Sequence, residues 1–237
     1  MNIQSTEEGA MKSNTRRLVA IVGISLGLMM PLNMAVADSQ SFKQLSAQWW
    51  QWALSIPTSE NPQLDATGED CVVGQRGEVW FLAGILGGGT ATRTCSVPAG
   101  KSLFFPVANS VFFDSPNVCQ GPESIPIEEM RAAIAAFIDE VTNIGVEVDG
   151  EAIDSIHRVG RSIVYAVALP EENVFDAPCA PEGVPAGIYS PTVDDGLYVR
   201  LNPLEVGNHT LHFHAEGPGG FIEDITYNLT VVPVVQK

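Results

Sequence analysis

Positive charge is scarce in this chain. Its 237 residues hold 12 Lys and Arg against 28 Asp and Glu, a formal charge of −16. Such a field repels nucleic acid and anionic lipid, so neither is an expected partner. Long apolar runs are missing too. The run from Leu18 to Met30 is short of the ~20 residues that a membrane-spanning helix needs, and no later stretch is long enough. Cysteines number four, with no C-x-x-C pair, which removes the usual zinc frameworks. There is no G-x-S-x-G elbow to present a lipase-type serine. Ala99-Gly100-Lys101-Ser102 ends like a phosphate-binding loop, but Cys95 stands where its first glycine belongs. Gly87-Gly88-Gly89 lacks the following helix that phosphate cradling requires.

The N-terminus carries the clearest address. Met11 reads as a plausible start. Lys12, Arg16 and Arg17 precede the apolar run, and Ala35-Val36-Ala37 follows it. Basic region, short apolar region and small-x-small site make a secretory signal peptide over residues 1–37, cleaved after Ala37. The Arg16-Arg17 pair also fits the twin-arginine route. Cleavage takes three basic and two acidic residues away and leaves a chain near −17. Residues 38–237 are then one β-rich domain, secreted or periplasmic, with no membrane segment left. In an oxidising compartment Cys71, Cys95, Cys119 and Cys179 imply two disulfides. Three pairings are possible. Cys71–Cys95 with Cys119–Cys179 is favoured, because each bond closes a loop around one section of the chain.

Periodicity divides that domain. Ser41 and Gln44 make a capping box, and Phe42, Leu45, Trp49, Trp52 and Ile56 recur at helical spacing, so a helix is predicted over 41–54. Trp50 points off the stripe, packed on a loop or free to stack on a ligand. Residues 57–78 read as loop. Short apolar runs at 79–83, 91–97 and 102–107 read as strands, with Pro106 marking an edge or bulge. Ile127, Met130, Ile134, Phe137, Ile138, Val141 and Ile144 predict an amphipathic helix over 126–143. Asp149-Gly150 marks a hairpin. After a strand at 162–169, residues 170–195 read as a second long loop. Strands at 197–201, 210–216 and 221–232 close the chain. The fold predicted is mainly β: an immunoglobulin-like β-sandwich with an N-terminal helix and one inserted amphipathic helix.

Three of the four histidines fall together. His212 and His214 share one strand face with Glu216, since side chains alternate along a strand. Pairing Phe213 with Ile225 and Leu211 with Tyr227 puts His214 opposite Asp224 and His212 opposite Thr226. Tyr198 and Arg200, from the preceding strand, are expected on the same outer face. Two imidazoles and a carboxylate are ligands for zinc or copper, which makes His212, His214 and Glu216 the candidate metal set. His214 with Asp224 is the candidate general base. Trp50, Tyr198 and Arg200 are the candidate binding residues for a glycan or a cell-surface partner. Two functions therefore stand: a secreted or periplasmic binding or surface protein, and a metal-dependent exported enzyme using His212 and His214.

The stretches Trp49-Trp50-Gln51-Trp52-Ala53-Leu54-Ser55-Ile56-Pro57, Val79-Trp80-Phe81-Leu82-Ala83-Gly84 and Val97-Pro98-Ala99-Gly100-Lys101-Ser102-Leu103-Phe104-Phe105-Pro106-Val107 carry a resemblance. So does Gly207-Asn208-His209-Thr210-Leu211-His212-Phe213 near the end. Together they resemble a group of uncharacterised exported bacterial proteins. The resemblance implies export and single-domain character and supplies no catalytic residue.

Overall fold

A computed structural model describes residues 40–234. The segment read as a signal peptide, residues 1–37, lies outside the described residues. The first element, α1 (Phe42–Leu54), begins where the capping box places it. Ser41 Oγ accepts the Gln44 backbone N–H, and Gln44 Oε1 accepts the Ser41 backbone N–H at 3.0 Å. Two donors that a helix start leaves unpaired are thereby satisfied. The helix buries Leu45, Trp49 and Trp52. Their indoles also hold chain: Trp49 Nε1 donates to the Leu82 carbonyl and Trp52 Nε1 to the Val73 carbonyl, each at 2.9 Å.

Two five-stranded sheets of mixed direction follow, and the protein is mainly β. The first sheet is centred on the antiparallel pair β3 (Ser102–Phe113) and β8 (Gly187–Leu201). β1 (Val79–Phe81) runs parallel to β3. β6 (Ile156–Arg158) and β7 (Tyr165–Leu169) pair with the two halves of β8. The second sheet takes the order β2 (Gly89–Pro98), β10 (Ile222–Val232), β9 (Gly207–Glu216), β4 (Thr142–Val148) and β5 (Glu151–Ala152), with β2 parallel to β10. The β9–β10 hairpin has the expected register, Phe213 opposite Ile225 and Leu211 opposite Tyr227. The β3–β8 register shifts at Pro106, whose ring nitrogen has no proton for a ladder bond.

The sheets face each other across one core. Leu103, Phe105 and Val199 meet Leu211, Phe213, Ile225 and Tyr227, and the Phe105 and Phe213 rings stack at 5.1 Å. Fully burying a Leu or Phe there contributes about 1.5–3 kcal/mol. α1 covers the other face of the first sheet, over Phe104, Val167, Leu169 and Tyr198. α2 (Ile127–Asp139) sets Met130 and Ile134 on Val193.

Disulfides join Cys71 to Cys95 and Cys119 to Cys179, the favoured pairing. The first sits beside the edge of β2. There the Thr94 N–H donates to the Thr67 carbonyl at 2.8 Å, so the 57–78 loop covers part of an edge that would otherwise invite pairing. Gly68 permits that approach: a Cβ on it would lie 2.4 Å from the Thr94 carbonyl oxygen.

Several boundaries differ from expectation: β3 runs on to Phe113, and β7 starts only at Tyr165. The inserted helix ends at Asp139, and Thr142–Val148 form β4 instead, because Ile144, Val146 and Val148 alternate at strand spacing. Residues 187–195 are strand rather than loop. Their Asp194-Asp195 pair looks like turn chemistry, yet both carboxylates are buried, Asp195 bonded to Arg158 of β6 and Asp194 to Ser46 of α1. Such partners come from distant chain and leave no local pattern.

Candidate functional site

Along β10, Glu223 has the same parity as Ile225, Tyr227 and Leu229. Alternation therefore sends its carboxyl inward, and it is 4% exposed. On β2, Arg93 likewise keeps company with Ala91, Cys95 and Val97 and is 1% exposed. A charge on a core face needs partners. Arg93 finds them in the carbonyls of Asp65, Ala83 and Gly84 and in the Tyr227 hydroxyl at 2.8 Å. Its guanidinium also lies 5.5 Å from the centre of the Tyr227 ring. Tyr227 in turn donates to the Ala83 carbonyl at 2.8 Å. This set anchors the chain entering the 84–89 glycine turn.

Glu223 is less fully served. Its Oε1 accepts the Ile85 N–H at 2.7 Å. Burial pushes its carboxyl up to about 7, against the Ile85 hydrogen bond and the Arg93 charge, which both favour the ion. Gly84 makes room for it, since a Cβ there would meet Oε1 at 2.4 Å.

Glu223 lines a crevice of about 50 Å³, enough for a few waters or one end of a small molecule. The walls come from Trp49 and Trp50 of α1, Gln63, the turn Gly84–Gly87, the β3 segment through Asn109, and Phe221. Gln63 is 3% exposed and Trp50 is 3% exposed. Gln63 Oε1 and Trp50 Nε1 are both buried without a hydrogen-bond partner. An orphaned buried polar atom costs about 1–3 kcal/mol, so the Gln63 oxygen, on a residue that walls the cavity, calls for an explanation.

Trp50 and Asn109 also connect the crevice to a second buried carboxyl. Asp194 of β8 is 1% exposed. It accepts from the Tyr198 hydroxyl at 3.0 Å and from Ser46 Oγ at 3.4 Å, while its own N–H donates to Ser162 Oγ at 2.9 Å. Among the described residues no cation is bonded to it, and burial pushes it up to about 6. Asn109 Nδ2 donates to the Tyr198 hydroxyl at 3.5 Å. The Trp50 indole nitrogen is close enough to that hydroxyl to act on its ionisation, but it makes no hydrogen bond of ordinary geometry.

The residues singled out from sequence fare unevenly. Trp50 is not a stacking surface, because the helix buries it against Trp49 at 4.9 Å. Tyr198 is fully buried in the first sheet, stacked on Phe104 at 5.3 Å, and Arg200 half-buried beside it donates to the Gln40 carbonyl. Neither reaches the histidine face. The chain changes sheets after Leu201, so β4, not β8, pairs with β9. Asp224 does sit opposite His214, but its carboxylate bonds His212 diagonally, Oδ1 to Nε2 at 2.8 Å. His214 Nε2 lies 3.5 Å from Glu216 Oε1 instead, so the His214–Asp224 base pair does not form. Among the described residues, no three His, Cys, Asp or Glu side chains gather around one point, so His212, His214 and Glu216 do not assemble a zinc or copper set. His209 is tied to Asp149 at 2.7 Å, which holds its imidazole above the ordinary range.

Sequence reasoning missed Glu223, Gln63, Asn109 and Asp194. For Glu223 a signal was present: a carboxylate on the core parity of an otherwise apolar strand. Gln63 and Asn109 carry no comparable mark.

Comparison with known proteins finds no matching family profile, curated protein or solved structure.

Proposed function

We propose that this chain is an exported binding protein whose site is the Glu223 crevice, and that its ligand is the hydroxyl-bearing end of a glycan. One observation carries the reading: Gln63 Oε1 is buried without a partner among the described residues, on a side chain that walls a cavity containing a buried carboxyl. A sugar hydroxyl donates and accepts at once, so it can satisfy the orphaned Gln63 amide oxygen. The size of the cavity favours a chain end over a whole ring. Export is supported by the signal-like N-terminus, the likeness to exported bacterial proteins and two disulfides. No helix among the described residues is long and apolar enough to cross a membrane. An immunoglobulin-like sandwich belongs to the same proposal, supported by two facing sheets and the closing β9–β10 hairpin.

The test is the near-isosteric variant Gln63→Met. It removes the orphaned oxygen, so the ligand-free protein is expected to gain about 1 kcal/mol in urea unfolding. Calorimetry against a panel of mono- and oligosaccharides should meanwhile show binding by the natural chain weakened at least ~10-fold in the variant. A panel that binds neither protein, together with an unstabilised variant, refutes the reading.

A further inference from the structure

The two disulfides occupy opposite environments. Cys71 and Cys95 are 5% and 2% exposed and belong to the core between the sheets. Cys119 is exposed and Cys179 half-buried, and both line an open surface groove of about 450 Å³. We propose that Cys119–Cys179 is a site of reversible thiol–disulfide exchange, with a dithiol as co-substrate, and that it couples two loops which each hold their own shape.

The loops carry their own clasps. In the first, Asp114 Oδ1 accepts from Gln120 Nε2 at 2.9 Å and from the Ile125 N–H at 3.0 Å. Gln120 Oε1 returns an acceptor to the Ser115 N–H at 3.0 Å. In the second, Asn173 Nδ2 donates to the Val184 carbonyl at 2.7 Å, and Asp176 Oδ1 accepts the Val184 N–H at 3.0 Å. Val174 and Val184 are 4% and 2% exposed, so that loop is also seated in the core beneath α1. The disulfide is thus a bridge between two closed loops. It does not hold either one shut. Its Cys119 end has φ at +56°, a left-handed backbone that is costly for a residue with a Cβ and relaxes more easily once the bond is cut.

The exchange is a two-electron step. A thiolate of the dithiol attacks one sulfur of the pair, the Cys119–Cys179 bond breaks, and the departing sulfur takes a proton. The second thiol of the reductant then displaces the protein cysteine and leaves as a disulfide. The protein gains two thiols, and the reductant loses two. Attack needs access to sulfur, which the exposure of groove-lining Cys119 favours and the core burial of Cys71 and Cys95 denies. This inference is independent of the crevice and its ligand.

Dithiothreitol titration of the intact chain tests it, with iodoacetamide trapping, peptide mapping and near-ultraviolet circular dichroism on the same samples. Cys119 and Cys179 are expected to be alkylated at least ~10-fold faster than Cys71 and Cys95, with the tertiary signal kept. The double variant Cys119→Ser/Cys179→Ser should fold, with amide exchange quickened in 114–125 and 170–186 alone. Equal labelling of all four cysteines overturns the proposal. So does collapse of the tertiary signal as the first pair opens, or a double variant that fails to fold.

Discussion

Replacing Glu223 by Gln should flatten part of the pH dependence of stability. Burial raises the folded carboxyl from the ordinary 4.5 to about 7. Between those values the folded protein keeps a proton that the unfolded chain releases. Stability from this group is therefore full below pH 4.5 and is lost as pH rises to 7 and beyond. At 1.36 kcal/mol per tenfold, the gap is worth about 3 kcal/mol. Gln keeps an oxygen for the Ile85 N–H and has no charge to desolvate. Urea unfolding of both proteins between pH 4 and pH 8.5 reads the difference directly. The variant should match the natural chain near pH 4 and exceed it by about 3 kcal/mol at pH 8.5. In a domain of this size that is roughly 6–12 °C in midpoint. A difference that stays constant across the range would show that Glu223 is not a buried, proton-retaining carboxyl, and the electrostatic account of the crevice would fall with it.

Two further outcomes follow from neighbouring groups. Asp194→Asn should show the same sign in a lower window, because burial raises that carboxyl from 3.8 to about 6. The variant's relative gain should appear between pH 4 and 6 and reach about 3 kcal/mol, measured by the same unfolding series. Gly84→Ala should be destabilising by at least ~2 kcal/mol and should abolish any ligand response, since its methyl would sit 2.4 Å from Glu223 Oε1. Thermal unfolding with and without saccharide checks both halves of that statement.

Glu223 and Trp50 mark the limit of what local pattern reveals about the site. Trp50 was visible as a residue off the helical stripe, either packed on a loop or free to stack on a ligand. In the fold that direction is covered, and its N–H is left without a partner among the described residues. His212 and His214 were legible as neighbours on one face, and their register with Thr226 and Asp224 was correct. Which carboxylate each ring meets depended on side-chain reach across the pleat and on β4 arriving at the other edge. Tyr198 failed for a topological reason. Consecutive strands usually neighbour one another, but here β8 and β9 lie in different sheets.

The sequence alone determined what depends on near neighbours. The Ser41–Gln44 cap, the stripe of Leu45, Trp49 and Trp52, the Asp149-Gly150 turn and the β9–β10 register all arise within a few residues or across one hairpin. The scarcity of basic residues and the favoured cysteine pairs were also readable. Tertiary structure decided everything that depends on distant chain. It took Asp194-Asp195 out of an expected loop and into a central strand. It brought Gln63, the 84–87 turn and Asn109 to Glu223, and it left Gln63 Oε1 without a partner among the described residues. Backbone periodicity records which face a residue occupies. The cost of burying a charge, and the partner that offsets it, exist only once the sheets have closed.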